Sequence, residues 1–215
     1  MSARRVAGNL DIVIVPLQQA VCIHIERLDR AVRGNLPGKG HLETLPGFAL
    51  FAPVRELLRD NPWRCQKEGH VEVGPALATQ FAVNVTATLA VIRTGIKGMN
   101  DGGRVIAVGA SVADRVGTPG LADYAATRAA VVAWCKGAAH DVGARGITVN
   151  VVQLGAIDVA LQGVTAQQLE AEVASNAMKR LGSAQEAAAA ILFLAGPGAS
   201  FITGTILSVD GGYMA

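Results

Sequence analysis

Three residues in the second half of the chain have the types and spacing needed to move a proton. Tyr124 and Arg128 lie four residues apart in the helix-like stretch LADYAATRAAVVAWCKGAAHDVG, and residues four apart are neighbours on a helix. A nearby cation favours phenolate over phenol and lowers the pKa of a tyrosine from about 10. Ser111 lies thirteen residues before Tyr124 and ends the strand-like segment GGRVIAVGAS. The trio therefore predicts proton transfer to or from an alcohol or carbonyl oxygen.

The segments around these residues alternate between strand and helix patterns, which favours a doubly wound parallel sheet of the Rossmann type. We predict one domain over 1–215, atypical over 1–75 and regular over 76–215. The predicted helices and strands are a strand over 10–15, a helix over 76–99, a strand over 104–110, a helix over 121–142 and strands over 147–153 and 205–209. Capping-box patterns at Thr165-x-x-Gln168 and Ser183-x-x-Glu186 predict two further helix starts.

Composition is typical of a soluble α/β protein and excludes several function classes. The chain has 215 residues, 51% of them hydrophobic, and a net charge of +2, which argues against binding to nucleic acid or an acidic membrane. We expect no membrane-spanning segment, signal peptide or metal site. Cys22, Cys65 and Cys135 are scattered and odd in number, so we interpret them as reduced thiols of a cytoplasmic protein.

From Asn84 to Asp210 the chain resembles the short-chain dehydrogenase/reductase family. The resemblance rests on Asn84 in FAVNVTATLAVI, on the serine and tyrosine, and on the segments ITVNVVQLGAIDV and FITGTILSVDGGYMA. It implies an oxidoreductase that uses NAD or NADP on a small alcohol or carbonyl. Tyr124 would be the acid/base, Ser111 would orient the substrate oxygen, and Asn84 would hold its helix and a water.

The resemblance also implies a set of cofactor contacts and an assembly. Arg128 would lower the tyrosine pKa and touch the nicotinamide ribose. The predicted cofactor-binding residues are Tyr124, Arg128, Gly155 and Ile157. Small residues line the helix of Tyr124, and the corresponding helix of the family often forms a dimer interface, so a homodimer or homotetramer is implied. The small residues are Ala125, Ala126, Ala129, Ala130, Ala133, Gly137 and Ala138.

Several positions depart from the family pattern and predict weak nicotinamide binding. Arg128 replaces the lysine of Tyr-x-x-x-Lys, and the usual Pro-Gly-x-Ile-x-Thr is here Leu154-Gly155-Ala156-Ile157-Asp158-Val159. The segment Leu10–Val15 is followed by Pro16 and bulky residues instead of glycines, and glycines are what let a diphosphate approach backbone amides. The glycines of Gly34–Gly40 follow a charged helix pattern, so we interpret them as an exposed turn.

Three alternatives stay open. Arginine at position 128 also resembles the Ser-Tyr-Arg set of the halohydrin dehalogenases, lyases that bind halide instead of nicotinamide. Loss of the glycine turn instead favours a non-catalytic regulatory homologue, and VVQLGAIDV resembles a subgroup that includes a cyclic-di-GMP-binding protein. Finally, GNLDIVIV resembles the fourth strand of the family, in which case the first three strands are absent.

Overall fold

The computed structural model describes residues 12–16, 75–117, 119–158 and 165–215. Several positions from the sequence analysis lie outside these residues. They are the segment after Pro16, the Gly34–Gly40 turn, Cys22, Cys65 and Val159.

The described part of the chain forms a parallel α/β sheet with helices on both faces, as the sequence predicted. The strands are β1 Ile12–Pro16, β2 Arg104–Ala110, β3 Thr148–Leu154, the short β4 Ile157–Asp158 and β5 Gly182–Ser183, and β6 Ile206–Val209. The helices are α1 Pro75–Phe81, a π-helical segment Ala82–Ala87, α2 Thr88–Gly98, α3 Ala122–Val142, α4 Ala166–Ser175 and α5 Ala184–Ala195. The main sheet has the order β1-β2-β3-β6, and every pairing in it is parallel.

β1 pairs with β2 along its whole length, from Ile12 opposite Arg104 to Pro16 opposite Val108. In the doubly wound order 3-2-1-4-5-6 the fourth and fifth strands are neighbours. The position of β1 beside the strand that leads to Ser111 therefore agrees with the interpretation of GNLDIVIV as a fourth strand.

Alternating side chains of the central strands build two cores. Val105, Ala107, Val149 and Val151 face α2 and α3, where they pack with a set that includes Val131. The intervening residues form the second core on the α5 face and include Ile106, Val108, Val152, Ile191 and Leu194. Strands buried on both faces are nearly continuous apolar runs, which is why VIAVGA and VNVV were recognisable in the sequence.

The predicted single helix over 76–99 is interrupted. Ala82–Ala87 is π-helical, and Asn84 lies inside it. Insertion of a π segment rotates the following turn relative to the preceding one, and such segments are frequent at functional sites. The apolar pattern that predicted the helix does not distinguish a π turn from an α turn, so the interruption could not be predicted.

Both predicted capping boxes are present. Thr165 and Gln168 exchange side-chain and backbone hydrogen bonds at the start of α4, and Ser183 and Glu186 do so at the start of α5. These bonds satisfy amide groups that the first helical turn leaves unpaired.

The small residues of α3 do not form one ridge. Ala125 and Ala138 are buried against the sheet, whereas Ala126, Ala133 and Gly137 are exposed on the outer face. The buried members let the helix approach the strands closely, so only the exposed members are available to a partner.

Burial of Cys135 generates the first testable prediction. Its side chain is 1% exposed, and desolvation raises the pKa of the thiol from 9.0 to about 12. The thiolate is the reactive form. In a Cys22→Ser/Cys65→Ser variant, we expect the remaining thiol to resist Ellman's reagent at pH 8 until the chain is unfolded in guanidinium.

The same shift gives a pH dependence with a definite sign. Because the folded-state pKa is raised, the contribution of the protonated thiol to stability is fully present below about pH 9 and is lost as pH rises toward about 12. Rapid labelling of the folded variant at pH 8 would contradict the burial of Cys135.

Candidate active site

The carboxyl ends of three neighbouring strands place three residues in a row. Ala110, Leu154 and Val209 are register partners across β2, β3 and β6. The next residues along each strand are Ser111, Gly155 and Asp210. Since parallel strands all point the same way, these residues meet at one edge of the sheet, the edge at which doubly wound proteins bind ligands.

Ser111 is held at this edge by contacts on both its side chain and its backbone. It begins the 3-10 turn Ser111–Ala113, which packs against α3. Its carbonyl accepts from the amides of Asp114 and Arg115, each at 3.2 Å. Its hydroxyl donates to Oδ2 of Asp210 over 3.5 Å, and the residue is 2% exposed. The sequence placed Ser111 correctly at the strand end but did not anticipate the carboxylate.

Gly155 lies between Ser111 and Asp210 in the row. A Cβ atom on Gly155 would lie 2.7 Å from Cα and 2.8 Å from Cβ of Asp210. Its amide donates to the carbonyl of Val209 at 3.1 Å. The absence of a side chain therefore lets Asp210 lie close to β3, and this close approach is the physical reason for glycine that the structure displays.

Tyr124 and Arg128 are in contact with each other on α3. The guanidinium carbon of Arg128 lies 4.6 Å from the centroid of the Tyr124 ring, so the cation covers the ring. Arg128 is 2% exposed, whereas Tyr124 is half-buried. A cation on an aromatic face is stabilised by the ring quadrupole, and this attraction offsets part of the cost of burying the Arg128 charge.

Asn84 is connected to the backbone of Tyr124 through the side chain of Thr127. Its Nδ2 donates to Oγ1 of Thr127 at 3.2 Å, and that hydroxyl donates to the carbonyl of Tyr124 at 2.7 Å. The π-helical segment thus presents Asn84 to α3, and the chain of two hydrogen bonds fixes the helical turn that carries Tyr124 and Arg128.

Ile157 lines a pocket that shares Asp210 with the row of strand-end residues. Its side chain is 6% exposed, and the pocket of about 360 Å³ is also lined by Asp210, Arg180 and Glu186. Arg180 pairs with Glu186 at 2.6 Å. The hydrogen bond from Arg180, followed by bonds from Ser183, lowers the pKa of the Glu186 carboxyl to about 2. This wall therefore keeps its ion pair at neutral pH.

Two residues near the edge were missed by the sequence analysis. Asp210 was noted only as the end of a matching segment, yet it connects Ser111 to the C-terminus. Gln153 is fully buried in β3, and within the described part of the chain neither amide atom of its side chain has a hydrogen-bond partner. It lies opposite Gly109, whose added Cβ would meet Cγ of Gln153 at 3.6 Å. A polar residue within the apolar run VVQL was the available signal for Gln153.

Two other features are absent from the described residues, a metal-binding cluster and a membrane-spanning helix. Among them, no group of three or more His, Cys, Asp or Glu side chains could hold a metal ion. No helix in those ranges is long and apolar enough to cross a membrane.

Comparison with known proteins gives one family match and related sequences. A family model described as enoyl-(acyl carrier protein) reductase matches residues 73–214. The cyclic-di-GMP-binding biofilm dispersal mediator protein of Escherichia coli is 36% identical over 135 residues, which cover 63% of this chain and 57% of that protein. The 3-oxoacyl-[acyl-carrier-protein] reductase FabG of Haemophilus influenzae is 45% identical over 111 residues, covering 51% and 46%. The chain thus spans about half the length of the curated relatives it matches.

A solved structure extends the likeness to the fold. The short chain dehydrogenase from Burkholderia cenocepacia in complex with NADP superposes with a TM-score of 0.66 at 27% identity, covering 97% of this chain and 67% of that one.

The close approach at Gly155 can be tested by adding a single methyl group. We expect Gly155→Ala to destabilise the chain by about 1–3 kcal/mol, because the new Cβ must displace the backbone of Asp210. Gly98→Ala is a matched control, since a Cβ there meets nothing within 4 Å. Urea unfolding measures both free energies. Equal changes in the free energy of unfolding for the two variants would contradict the close approach of Gly155 to Asp210.

Proposed function

The chain belongs to the short-chain dehydrogenase/reductase family, and we propose that it is an oxidoreductase that interconverts an alcohol and a carbonyl through Ser111, Tyr124 and Arg128. The observation that carries the proposal is the Tyr124–Arg128 stack, 4.6 Å from cation to ring centroid. Both residues lie on α3, and α3 packs against the 3-10 turn that begins with Ser111. These contacts support a shared site in which Ser111 and the Tyr124 phenol act on one oxygen and the Arg128 cation lies against the ring.

In this proposal Tyr124 moves the proton. It donates its phenolic proton to a carbonyl oxygen in reduction and takes the hydroxyl proton back in oxidation. The phenolate form carries negative charge into the ring, and the Arg128 cation on the ring face stabilises that charge. Arginine stays protonated throughout, so it supplies charge and does not itself relay the proton.

The substrate class follows from the relatives. The FabG relative is named as a reductase of 3-oxoacyl groups on acyl carrier protein, so a 3-oxoacyl thioester is the carbonyl substrate that we propose to test first. Acetoacetyl-coenzyme A is a small soluble member of that class.

The family uses a nicotinamide dinucleotide as hydride carrier, and the described residues do not fit the usual way of holding it. The family lysine binds the nicotinamide ribose, whereas Arg128 is 2% exposed and lies against the tyrosine ring. A guanidinium withdrawn in this way does not present its donors to a ribose at the edge. We therefore propose that nicotinamide binding is weak, with a dissociation constant in the millimolar range.

A regulatory nucleotide-binding protein is the second candidate function. It is favoured by the withdrawn cation and by the relative named as a cyclic-di-GMP-binding biofilm dispersal mediator. Titration with cyclic-di-GMP by calorimetry tests it, because micromolar binding without any reductase turnover would favour this candidate over the oxidoreductase.

We also propose that the chain assembles as a homodimer or homotetramer through the exposed small residues of α3. Ala126, Ala133 and Gly137 leave that face of the helix without long side chains, so a second helix could approach it closely. Light scattering of the native chain and of an Ala133→Lys variant tests this assembly, since an inserted lysine should produce monomers.

Removal of the phenolic hydroxyl tests the acid/base role. We expect Tyr124→Phe to lower the rate of acetoacetyl-coenzyme A reduction by about 10²–10⁴-fold, the typical contribution of general acid–base catalysis. The melting temperature should change little, because the ring keeps its contact with Arg128. NADPH oxidation measured at 340 nm gives the rate. Wild-type turnover by this variant would remove Tyr124 from the mechanism.

Exchange of the cation tests both the stacking and the cofactor proposal. Lysine lacks the planar fork that covers the ring, so we expect Arg128→Lys to release an ammonium toward the edge and to tighten NADPH binding. Nicotinamide fluorescence measures the affinity of both chains. Micromolar NADPH binding by the native chain would contradict weak binding. If Arg128→Lys lost the catalytic activity of the native chain, dehalogenase-type chemistry would be favoured instead, because the planar guanidinium is part of the site in that mechanism.

A further inference from the structure

The last six residues, Asp210–Ala215, form a turn that contacts the loop after Ser111, and we refer to it as the C-terminal turn. Asp210 organises the turn itself. Its Oδ1 accepts from the amide of Gly212 at 2.9 Å, and its Oδ2 accepts from the amide of Met214 at 3.2 Å. Oδ2 is also the atom that receives the Ser111 hydroxyl. One carboxylate therefore joins the C-terminal turn to the proposed catalytic serine.

Tyr213 holds the loop that follows Ser111, and we refer to its contacts with Arg115 and Gly117 as the Tyr213 grip. Its hydroxyl donates to the carbonyl of Arg115 and accepts from the amide of Gly117, both at 3.1 Å. The Arg115 guanidinium lies 4.6 Å from the centroid of the Tyr213 ring, and its Nη1 donates to the carbonyl of Tyr213. Tyr213 and Arg115 thus each donate a side-chain hydrogen bond to the backbone carbonyl of the other, and their side chains stack.

The fit at Gly117 shows that this grip is close. A Cβ on Gly117 would lie 3.0 Å from the Tyr213 hydroxyl, which is tighter than ordinary van der Waals contact. The loop residues Val116 and Gly117 are exposed, as is Arg115. Since they bury little apolar surface, hydrogen bonds define the loop position, namely those of the Tyr213 hydroxyl and the one from the Arg115 amide to the Ser111 carbonyl.

The carboxylate also decides the direction of the Ser111 hydrogen bond. An ionised carboxylate accepts hydrogen bonds and donates none, so the serine is the donor in its 3.5 Å hydrogen bond with Oδ2 of Asp210. The remaining lone pairs of Oγ can then only accept. A serine in this state binds a group that carries its own proton, such as an alcohol, better than it binds a bare carbonyl oxygen.

We propose that the C-terminal turn is a positioning element of the site: Asp210 sets Ser111 as a hydrogen-bond acceptor, and Tyr213 holds the loop after it. This inference rests on the proposed oxidoreductase function for its ligand. It assigns two positioning residues, neither of which needs to touch the substrate.

The grip of Tyr213 can be measured without any activity. Tyr213→Phe keeps the ring under Arg115 and removes both bonds of the hydroxyl. We expect hydrogen exchange of the Gly117 amide to become about tenfold faster, since net hydrogen-bond contributions are about 0.5–1.5 kcal/mol each. The amide of Gly204, which donates to Val149, is the internal control and should not change. Equal exchange of Gly117 in both chains would overturn the grip.

The direction of the serine hydrogen bond is tested by Asp210→Asn. We expect the amide nitrogen to take the Oδ2 position, where it donates to Ser111 and loses the bond from the Met214 amide, while the oxygen keeps the bond from the Gly212 amide. The serine proton is then free for the ligand. KM for 3-hydroxybutyryl-coenzyme A should rise relative to KM for acetoacetyl-coenzyme A by about tenfold, the effect of reversing one hydrogen bond. Asp101→Asn is the matched control, because that carboxylate pairs with Arg145 and is 76% exposed.

Each result decides one part of the proposal. If Asp210→Asn lowered the rates of oxidation and of reduction equally and left the ratio of the two KM values unchanged, the role of Asp210 would be overturned. If Asp210→Asn fails to fold, Asp210→Ser is expected to shift the ratio the same way, because it also removes the anion that receives the serine proton. A native chain that turns over neither thioester contradicts the oxidoreductase function and the role of Asp210 with it, whereas the exchange measurement still decides the grip.

Discussion

The register of three parallel strands is the constraint on which the site depends. β2, β3 and β6 end with Ala110, Leu154 and Val209 as partners, so the residues that follow are delivered side by side. Asn150, fully buried in β3, holds this alignment by donating to the carbonyl of Ile202 at 2.8 Å and accepting from the amide of Thr205 at 3.1 Å. A shift of β6 by one residue would separate Asp210 from Ser111.

The second determinant is the burial of a cation beside Tyr124. Placing a guanidinium where it is 2% exposed has a desolvation cost, and the ring of Tyr124 offsets part of it by cation–π attraction. Lowering the tyrosine pKa and holding a cofactor would be competing uses of this one side chain, which is the basis of our proposal that nicotinamide binding is weak.

Prediction from the sequence succeeded where the controlling interactions are local. The capping boxes of Thr165 and Ser183 each involve residues three apart, and the buried strands are continuous apolar runs. The family and its parallel fold were likewise recognisable from linked motifs. It missed the π-helical segment, whose apolar pattern is that of an ordinary helix, and it missed the role of Asp210, whose partner Ser111 is distant in the chain. Ser111 and Asp210, for example, are separated by 99 positions.

By itself the sequence determined which groups this protein has for chemistry and in which elements they lie: a serine at a strand end, and a tyrosine and an arginine one turn apart on a helix. Those placements follow from hydrophobic periodicity and helix geometry, which act over a few residues. Only the tertiary structure decided how the groups face each other. The cation covers the ring, the serine donates to a carboxylate, and the C-terminus holds the loop, because strand register and close packing fix directions that no local pattern encodes.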